Sequence, residues 1–164
     1  MKLIQNILET EAKRIQKSLG LDNLVFYYST LNEFIETLNN LKKQNLRYPF
    51  FFVHSDRVTY SDGKNDVICS VENIVIATLS DQKWTAAVRD LESFKPILLP
   101  IYEELYDGMQ RNREINIHSH GDIHIHYFYG KEGIVGYEGL IFPDFIDAIQ
   151  LKNYKFRISK NNNK

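Results

Sequence analysis

Residues 73–79 read NIVIATL. Their apolar side chains occupy successive positions, so a strand formed here is apolar on both faces and is predicted to be central in a sheet. Residues 48–54, YPFFFVH, contain a second unbroken apolar run, Phe50–Val53. Such a run also suits a strand that is covered on both sides. The two stretches therefore predict a sheet with packed layers on its faces.

Two amphipathic helices are predicted, one before and one after a strand at residues 24–28. Apolar residues recur at three- and four-residue steps from Leu3 to Leu19, and Gly20 follows as a C-terminal stop. Thr30 and Glu33 match a capping box, which predicts the start of a second helix. The predicted buried stripe of that helix is Leu31, Phe34, Ile35, Leu38 and Leu41.

A longer helical region is predicted over residues 80–112. Pro96 is expected to break or restart it, because a proline ring clashes with the carbonyl four residues earlier. Further strands are predicted at 24–28, 67–71, 133–142 and 151–158, with a polar turn segment at 55–66 and a short helical or turn element at 143–149.

Strands outnumber helices in this order, and neighbouring strands are joined by short connections. This pattern favours an α+β arrangement over a doubly wound parallel sheet. We predict a single α+β domain over residues 1–158, with a mainly antiparallel sheet packed against two or three helices. A β-hairpin at 114–129 is predicted to protrude, and residues 159–164 are predicted to form a flexible tail.

Composition narrows the class of protein. The formal net charge is −1, so no overall basic field draws the chain to nucleic acid or membrane. The single cysteine, Cys69, cannot form an internal disulfide and is predicted to be a buried, inert thiol. The N-terminus does not resemble a signal peptide, and no apolar run approaches the ~20 residues that span a bilayer. These features predict a soluble, cytosolic product.

Residues 116–130, NIHSHGDIHIHYFYG, contain four of the five histidines. A two-residue turn in a hairpin would divide the histidines between its two faces. A three-residue turn at 120–122 pairs His118 with His124 and leaves one apolar face. Because burying an isoleucine side chain contributes about 1.5–3 kcal/mol, the three-residue turn is the prediction. The apolar face would consist of Ile115, Ile117, Ile123, Ile125 and Tyr127.

In this register His118, His124 and His126 become neighbours, and neutral imidazoles at such spacing can bind zinc or nickel. The local acid is Asp122 at the turn, whereas an enzyme site usually adds a carboxylate ligand in a concave pocket. Three interpretations stay open: a solvated hairpin face that resists edge aggregation, a structural or adventitious metal site, and a catalytic site. In a ring of copies these histidines would form a collar that responds to pH near about 6.5.

The last predicted strand is basic on one side. Lys152, Lys155, Arg157 and Lys160 occur without an intervening acid. On a strand, Lys155 and Arg157 share one face, and the apolar residues between them share the other. One interpretation is a solvated edge strand protected by lysine. The other is a contact with DNA or an acidic partner, which would show salt-dependent binding.

Other residue combinations predict no chemistry. His54, Ser55 and Asp56 are the residue types of a hydrolase triad, but triads are assembled from distant segments. Neighbouring residues on a strand also point apart. The glycines of residues 133–139 lack the Lys-Ser/Thr pair that a phosphate-binding loop needs.

Three longer stretches carry a resemblance to a known class of proteins. They are LRYPFFFVHSD at 46–56, ENIVIATLSDQKWTAAVRDLESFKPILLPIYEELYDGMQRN at 72–112, and FPDFIDAIQLKNYKFRI at 142–158. The first looks like a core strand after a helix, the second like a central strand that leads into a long packing helix, and the third like a closing segment. The chain resembles tail-completion or tail-terminator proteins of tailed bacteriophages, in particular those of phages with Bacteroidota hosts.

The resemblance implies a small subunit that closes into a ring of six or twelve copies at the head–tail junction of the virion. Such a ring joins portal or connector proteins to tail proteins, and its channel admits the genome, which implies transient contact with DNA. It implies a structural, non-enzymatic protein without a cofactor and without membrane contact, assembled in the bacterial cytoplasm. Residues expected to contact other copies or partners are His120, Tyr127, Tyr129, Tyr154 and Phe156.

Two other classes of function stay open from the sequence. One is a small metal-binding protein or metal-dependent enzyme that uses the histidine cluster. The other is an adaptor that binds a partner through its aromatic surface and basic C-terminal strand. Formation of a ring would favour the structural class, whereas a stoichiometric metal in a monomer would favour the metal-binding class.

Overall fold

Seven strands form one mixed sheet in a computed structural model that describes residues 3–41, 43, 47–130 and 142–160 of the 164-residue chain. The strands are β1 (Val25–Ser29), β2 (Phe50–His54), β3 (Val58–Asp62), β4 (Asp66–Leu79), β5 (Ile115–Ser119), β6 (Asp122–Gly130) and β7 (Phe145–Ser159). The helices are α1 (Ile4–Leu19), α2 (Leu31–Asn40), α3 (Ala86–Arg89), a π-helix (Asp90–Leu98) and α4 (Leu99–Arg111), with a 3₁₀ turn at Ser55–Arg57.

β4 lies at the centre of the sheet. It pairs antiparallel with β7 along one edge and with β2 and β3 along the other. β1 extends the sheet beyond β2 in a parallel pairing, and β5 and β6 both pair antiparallel with β7. The prediction of a single α+β domain with a mainly antiparallel sheet is confirmed.

Each face of the sheet carries its own apolar core. α1, the π-helix and α4 cover one face, which we call the helix-rich face, and Phe51 and Val53 point into its core. α2 covers part of the other face, the α2 face, where Phe50 and Phe52 lie. The ring of Phe34 stacks on Phe52 with 4.0 Å between ring centroids. The prediction that β2 is covered on both faces is confirmed.

Local signals correctly predicted the first two helices. α1 ends at Leu19, and Gly20 adopts the left-handed conformation with φ of 64°. The capping box at the start of α2 is present, because the Thr30 side chain accepts from the Glu33 amide and the Glu33 carboxylate accepts from the Thr30 amide.

β4 is one strand of 14 residues, whereas the sequence predicted two strands separated near Glu72. Side chains that are an even number of residues apart normally point to the same face of a strand. Val71 and Ile74 are three residues apart, yet both lie in the core of the helix-rich face, so the alternation shifts by one residue at this point. β7 shifts at the matching position, where Leu151 and Tyr154 share that core and Asn153 has a φ of 59°. The two strands shift together, so their register continues unbroken.

Three further predictions about the strands need correction. Residues 143–149 were predicted as a helical or turn element, but Phe145 begins β7. The polar segment 55–66 contains β3, which pairs with β4. The predicted flexible tail begins at residue 159, yet Ser159 ends β7 and the Lys160 amide donates to the carbonyl of Asn65. The predicted strand at 133–142 lies almost entirely outside the described residues, as do residues 161–164.

The sequence predicted that Pro96 breaks or restarts the long helical region, and this prediction is wrong. Residues 86–111 stay helical through Pro96. Pro96 lies inside the π-helix, and the Leu99 amide donates to the carbonyl of Phe94, five residues earlier. A π-helical turn is wider than an α-helical turn. The clash between the proline ring and the preceding turn is thereby relieved, so the chain stays helical. None of the helices among the described residues is long and apolar enough to cross a lipid bilayer.

The predicted hairpin at 114–129 is wrong. β5 and β6 do not pair with each other; they follow β7 one after the other in the same direction, from Ile115 opposite Ile158 to Gly130 opposite Phe145. The histidine stretch is therefore one long, bulged edge strand. The physical reason is that β7, with 15 residues, offers backbone hydrogen bonds along the whole stretch, and Ile115 becomes fully buried when it pairs there.

Candidate functional site at the outer edge of the sheet

The edge formed by β5 and β6, which we call the β5–β6 edge, has an outer side that is open among residues 3–41, 43, 47–130 and 142–160. Its inner side pairs with β7, and no other described strand pairs with it. Ile123, Ile125 and Tyr127, which we call the apolar row, are 45–47% exposed. Ile123 and Ile125 lie opposite Leu151 and Ile149, which point into the core of the helix-rich face. The row therefore continues that core outward to the surface, so the predicted burial of these side chains is wrong.

A bulge near the end of β6 displaces Tyr127 and Phe128. Two residues of β6 lie opposite the single residue Asp147 of β7, and Phe128 has a φ of 56°. The Phe128 amide, freed from the strand ladder, donates to Asp147 Oδ1 at 2.9 Å. Bulges of this kind re-aim side chains at the edge of a sheet. Phe128 is thereby 37% exposed beside the apolar row.

A buried ion pair fastens this bulge to the end of α3, directly before the π-helix. Arg89 Nη1 lies 2.8 Å from Asp147 Oδ1, and the two side chains are 5% and 0% exposed. Arg89 also donates to Ser80 Oγ and to the carbonyl of Asp81. Its guanidinium carbon lies 5.0 Å from the centroid of the Phe128 ring, a distance that suits a cation–π contact. Oδ2 of Asp147 has no hydrogen-bond partner among the described residues.

Tyr127 makes a second link to the π-helix. Its hydroxyl donates to Asp90 Oδ1 at 2.8 Å, and its ring lies 4.9 Å from the ring of Phe94. The Asp90 carboxylate raises the pKa of the Tyr127 hydroxyl. The apolar row is therefore held in place at its Tyr127 end.

Gly121 joins the two strands of the edge at a point of close backbone approach. A Cβ atom at this position would lie 1.6 Å from the carbonyl oxygen of Lys152 and 2.8 Å from the carbonyl carbon of Asn153. The sequence treated Gly121 as part of a turn. Glycine has no side chain, so Gly121 instead lets the edge pass close to the β7 backbone at the point where the alternation of β7 shifts.

The four histidines of the edge do not come together as one cluster. His118 Nδ1 lies 3.2 Å from Arg157 Nη2, and His120 packs between Tyr106 and Tyr154 on the helix-rich face. The rings of His124 and His126 stack with 6.0 Å between centroids.

The predicted cluster of His118, His124 and His126 is thus not assembled in one protomer. The reason is that the pairing of His118 with His124 required a hairpin. Within the described parts of the chain, no three His, Cys, Asp or Glu side chains are placed to hold a metal ion.

A polar row crosses the α2 face next to this edge. His126 Nε2 lies 2.8 Å from Gln150 Oε1, and Gln150 Nε2 donates to Asn73 Oδ1 at 2.7 Å. Asn73 Nδ2 lies 3.4 Å from His54 Nε2. Gln150 is 4% exposed, and burial lowers the pKa of His54. The row joins β6, β7, β4 and β2.

The residues predicted to contact other copies divide into two groups. His120 and Tyr127 are exposed at the edge, and Tyr129 is half-buried with its ring stacked on His126 at 4.2 Å. Tyr154 and Phe156 are buried in the core of the helix-rich face, so their prediction as contact residues is wrong. The face of β7 that carries them is covered by helices, which the strand pattern alone did not show.

The basic residues of β7 are balanced by acids from β3 and β4. Lys155 and Arg157 are exposed as predicted, but Arg157 Nε lies 3.0 Å from Asp66 Oδ2 and Lys160 pairs with Asp62. Lys152 is half-buried.

Lys155 lines an open groove of about 340 Å³ that also contains Asp56, Arg57 and Glu72. The groove therefore mixes both signs of charge. The acids of this surface come from other parts of the chain, so the local sequence of β7 did not indicate them.

Cys69 is a buried thiol, as predicted. Burial raises the pKa of the Cys69 thiol to about 12, and the thiolate is the reactive form of cysteine. We expect a thiol reagent such as Ellman's reagent at pH 8 to label the folded protein at least about a thousandfold more slowly than the urea-unfolded chain. In a Ser61→Cys variant the added, exposed thiol should react at once; rapid labelling of wild-type Cys69 in native buffer would contradict this burial.

Sequence reasoning missed Arg89, Asp147, Asn73 and Gln150. The one available signal was a charged residue inside the apolar run FIDAI of residues 145–149, since a buried charge requires a partner. The partner, Arg89, lies 58 residues away in the chain, so local patterns did not identify it.

Comparison with known proteins adds no relative to this picture. No protein-family model, no curated protein and no solved structure matches the chain. The resemblance to ring proteins of the phage head–tail junction therefore stays a prediction from the three sequence stretches.

Proposed function

We propose that the protein is a structural subunit that joins copies of itself into a closed ring. The observation that carries the proposal is the β5–β6 edge, whose outer side is open among the described residues and is lined by the exposed apolar row. An edge strand with unpaired backbone groups is a template for strand pairing with another chain. Exposed aromatic and aliphatic side chains beside it supply the contacts that stabilise such a pairing.

A ring needs two different contact surfaces on each subunit, because a rotation axis brings one surface against another. The sheet has two unlike edges: β5 and β6 on one side, β1 and β3 on the other. β6 runs in the same direction as β4, since both are antiparallel to β7, and β3 runs opposite to β4. When two copies lie side by side in one orientation, β6 of one copy and β3 of the next are therefore antiparallel.

The sequence resemblance supports a proposal for where this ring acts. We propose a non-enzymatic tail-completion or connector ring of six or twelve copies at the head–tail junction of a tailed bacteriophage, assembled in the cytoplasm of its bacterial host. Portal or connector proteins and tail proteins would be its neighbours, and genomic DNA would pass through its channel. The mixed charge near Lys155 and Glu72 suits a surface along which DNA slides without tight binding, since strong binding needs an uncompensated basic surface.

Replacement of Ile125 by lysine is expected to prevent ring formation. The change removes an apolar contact worth about 1.5–3 kcal/mol when buried and places a charge on the edge, which opposes strand pairing. Association at each contact should weaken at least about tenfold, since ~1.4 kcal/mol corresponds to that factor. Sedimentation velocity and negative-stain micrographs of wild type and variant at equal concentration measure the effect.

Thr10→Lys is the control, because Thr10 is exposed in the middle of α1, which covers the helix-rich face and belongs to neither edge of the sheet. It should assemble like the wild type. A wild-type protein that stays monomeric at high concentration, even with portal or tail proteins present, would contradict the proposal. Antibody labelling of purified virions tests the location, and label anywhere other than the head–tail junction would refute it.

A further inference from the structure

Four side chains on the α2 face form a continuous hydrogen-bonded relay across the sheet. The relay runs from His126 at the outer edge through Gln150 and Asn73 to His54. Its ends belong to β6 and β2, and its two amides belong to β7 and β4. The four side chains are joined directly, without a further described residue between them.

The two amides give the relay a direction. Gln150 presents its oxygen to His126 and its nitrogen to Asn73, and Asn73 presents its nitrogen to His54. An amide nitrogen only donates and an amide oxygen only accepts. His126 therefore carries a hydrogen on Nε2, and His54 accepts at a bare Nε2, with its own hydrogen on Nδ1. Reversal of both amides would exchange these roles.

In either direction, a fully bonded relay has a hydrogen on Nε2 of one histidine only. His126 can take up a proton on Nδ1 without disturbing the relay, because its Nε2 already donates. His54 cannot be protonated in the same way, because a hydrogen on its Nε2 would face the donating nitrogen of Asn73. Protonation of both rings would leave two amide nitrogens facing each other and break the central bond.

We propose that the relay is a proton-allocating device that directs proton uptake to His126 at the β5–β6 edge and keeps His54 in the sheet neutral. The hydrogen-bond relay is independent of the proposed function, but its expected effect on the assembly of copies rests on that function. A charge on His126 would lie at the contact between copies, so acid would weaken the ring while the interior of the sheet stays uncharged.

The surroundings of His54 agree with a neutral ring. Burial is the main cause that lowers the pKa of His54, and Arg57 also lowers it, whereas Asp56 and Glu72 act in the opposite sense. The ring of Phe52 lies 4.6 Å away, between centroids. The two acids do not outweigh the burial.

The surroundings of His126 are more open and carry other titrating groups. His124 stacks beside it at 6.0 Å, and Tyr129 stacks at 4.2 Å, on the same strand. Across the strand pair, Asp122 lies opposite Lys152 four residues before His126. A positive charge on His126 therefore lies beside another imidazole at the edge.

Gln150→Glu tests the relay directly. A carboxylate accepts on both sides, so Asn73 must turn its nitrogen towards residue 150 and its oxygen towards His54. The His54 Nε2 must then carry a hydrogen. Nitrogen-15 NMR of the histidine rings at neutral pH should show His54 Nε2 move from the range of an unprotonated nitrogen to that of a protonated one.

Asn73→Asp should produce the same change at His54 while the bond from His126 to Gln150 is retained, so two independent variants converge on one signal. Backbone amide spectra show whether each variant is folded. His118→Gln is the control: His118 lies on the same edge outside the relay, and its replacement should leave the His54 signal unchanged. A wild-type His54 with hydrogen on Nε2, or two variants that leave it bare, would overturn the relay.

Titration of the wild type supplies a further test. On acidification the His126 ring should become doubly protonated while His54 Nε2 stays bare, and simultaneous protonation of the two would overturn the proposal. His126→Gln retains a hydrogen-bond donor to Gln150 but has no imidazole to protonate. The fraction of assembled oligomer should therefore fall less on acidification in this variant than in the wild type. Absence of assembly at every pH would contradict the ring and leave the relay to be decided by the NMR signals alone.

Discussion

Replacement of Asp147 by alanine is expected to lower the free energy of unfolding by about 3–5 kcal/mol, because it leaves a buried charge without its partner. Arg89 is 4% exposed, so water cannot replace the lost carboxylate. The same change removes the acceptor of the Phe128 amide, which is already outside the strand ladder. Urea unfolding followed by circular dichroism measures the loss.

The double variant Arg89→Leu/Asp147→Leu shows how much of the lost stability comes from the unpaired buried charge and how much comes from the bulge. Replacing both partners of a buried ion pair with apolar residues is often close to neutral, so the double variant should be more stable than Asp147→Ala. Asp107→Ala is the surface control, since the Asp107–Arg111 pair is largely exposed and such pairs contribute about 0–1 kcal/mol. Equal losses for the buried and the surface variants would show that Asp147 is not held as described.

Gly121→Ala is expected to destabilise the protein by about 3 kcal/mol, at the upper end of the range for overpacking. The added methyl group would lie 1.6 Å from the carbonyl oxygen of Lys152. This contact involves backbone atoms, so no side-chain rotation relieves it. β5 or β6 must move away from β7, and amide hydrogen exchange should show lost protection on both sides of residue 121.

Gly20→Ala provides the matched comparison. Gly20 has a φ of 64° but no atom within 4 Å of an added Cβ, so the cost of Gly20→Ala is conformational and should be about 1 kcal/mol. A Gly121→Ala protein that is as stable as Gly20→Ala, with β5 and β6 still protected, would contradict the close approach of the edge to β7.

Much of the candidate site was visible in the sequence as residues but not as an arrangement. The histidine stretch and the alternation of Ile123, Ile125 and Tyr127 were evident, and Tyr127 does lie exposed at the edge. The partners of these residues were not evident. Gln150 reads as an ordinary polar residue of a strand until its neighbour His126 is known, and Asn73 reads as the first residue of a strand until it is seen to bridge Gln150 and His54.

The elements whose signals are local could be predicted from the order of residues alone. Gly20 ended α1, the Thr30–Glu33 box began α2, and the apolar run of β2 was covered on both faces. Helical periodicity, capping and two-sided apolarity depend on residues close in the chain, so they can be detected without the fold. The α+β class followed from the order of these elements.

The pairing of residues 115–130 depends on the complete fold. The local pattern, a glycine between two alternating runs, suits a hairpin turn and a strand bulge equally well. The long strand β7, which begins 15 residues after β6 ends, supplies a partner for both runs and removes the need for a hairpin. Strand pairing and buried ion pairs such as Arg89–Asp147 join residues that are distant in sequence, and their energies depend on which surfaces the complete fold brings together.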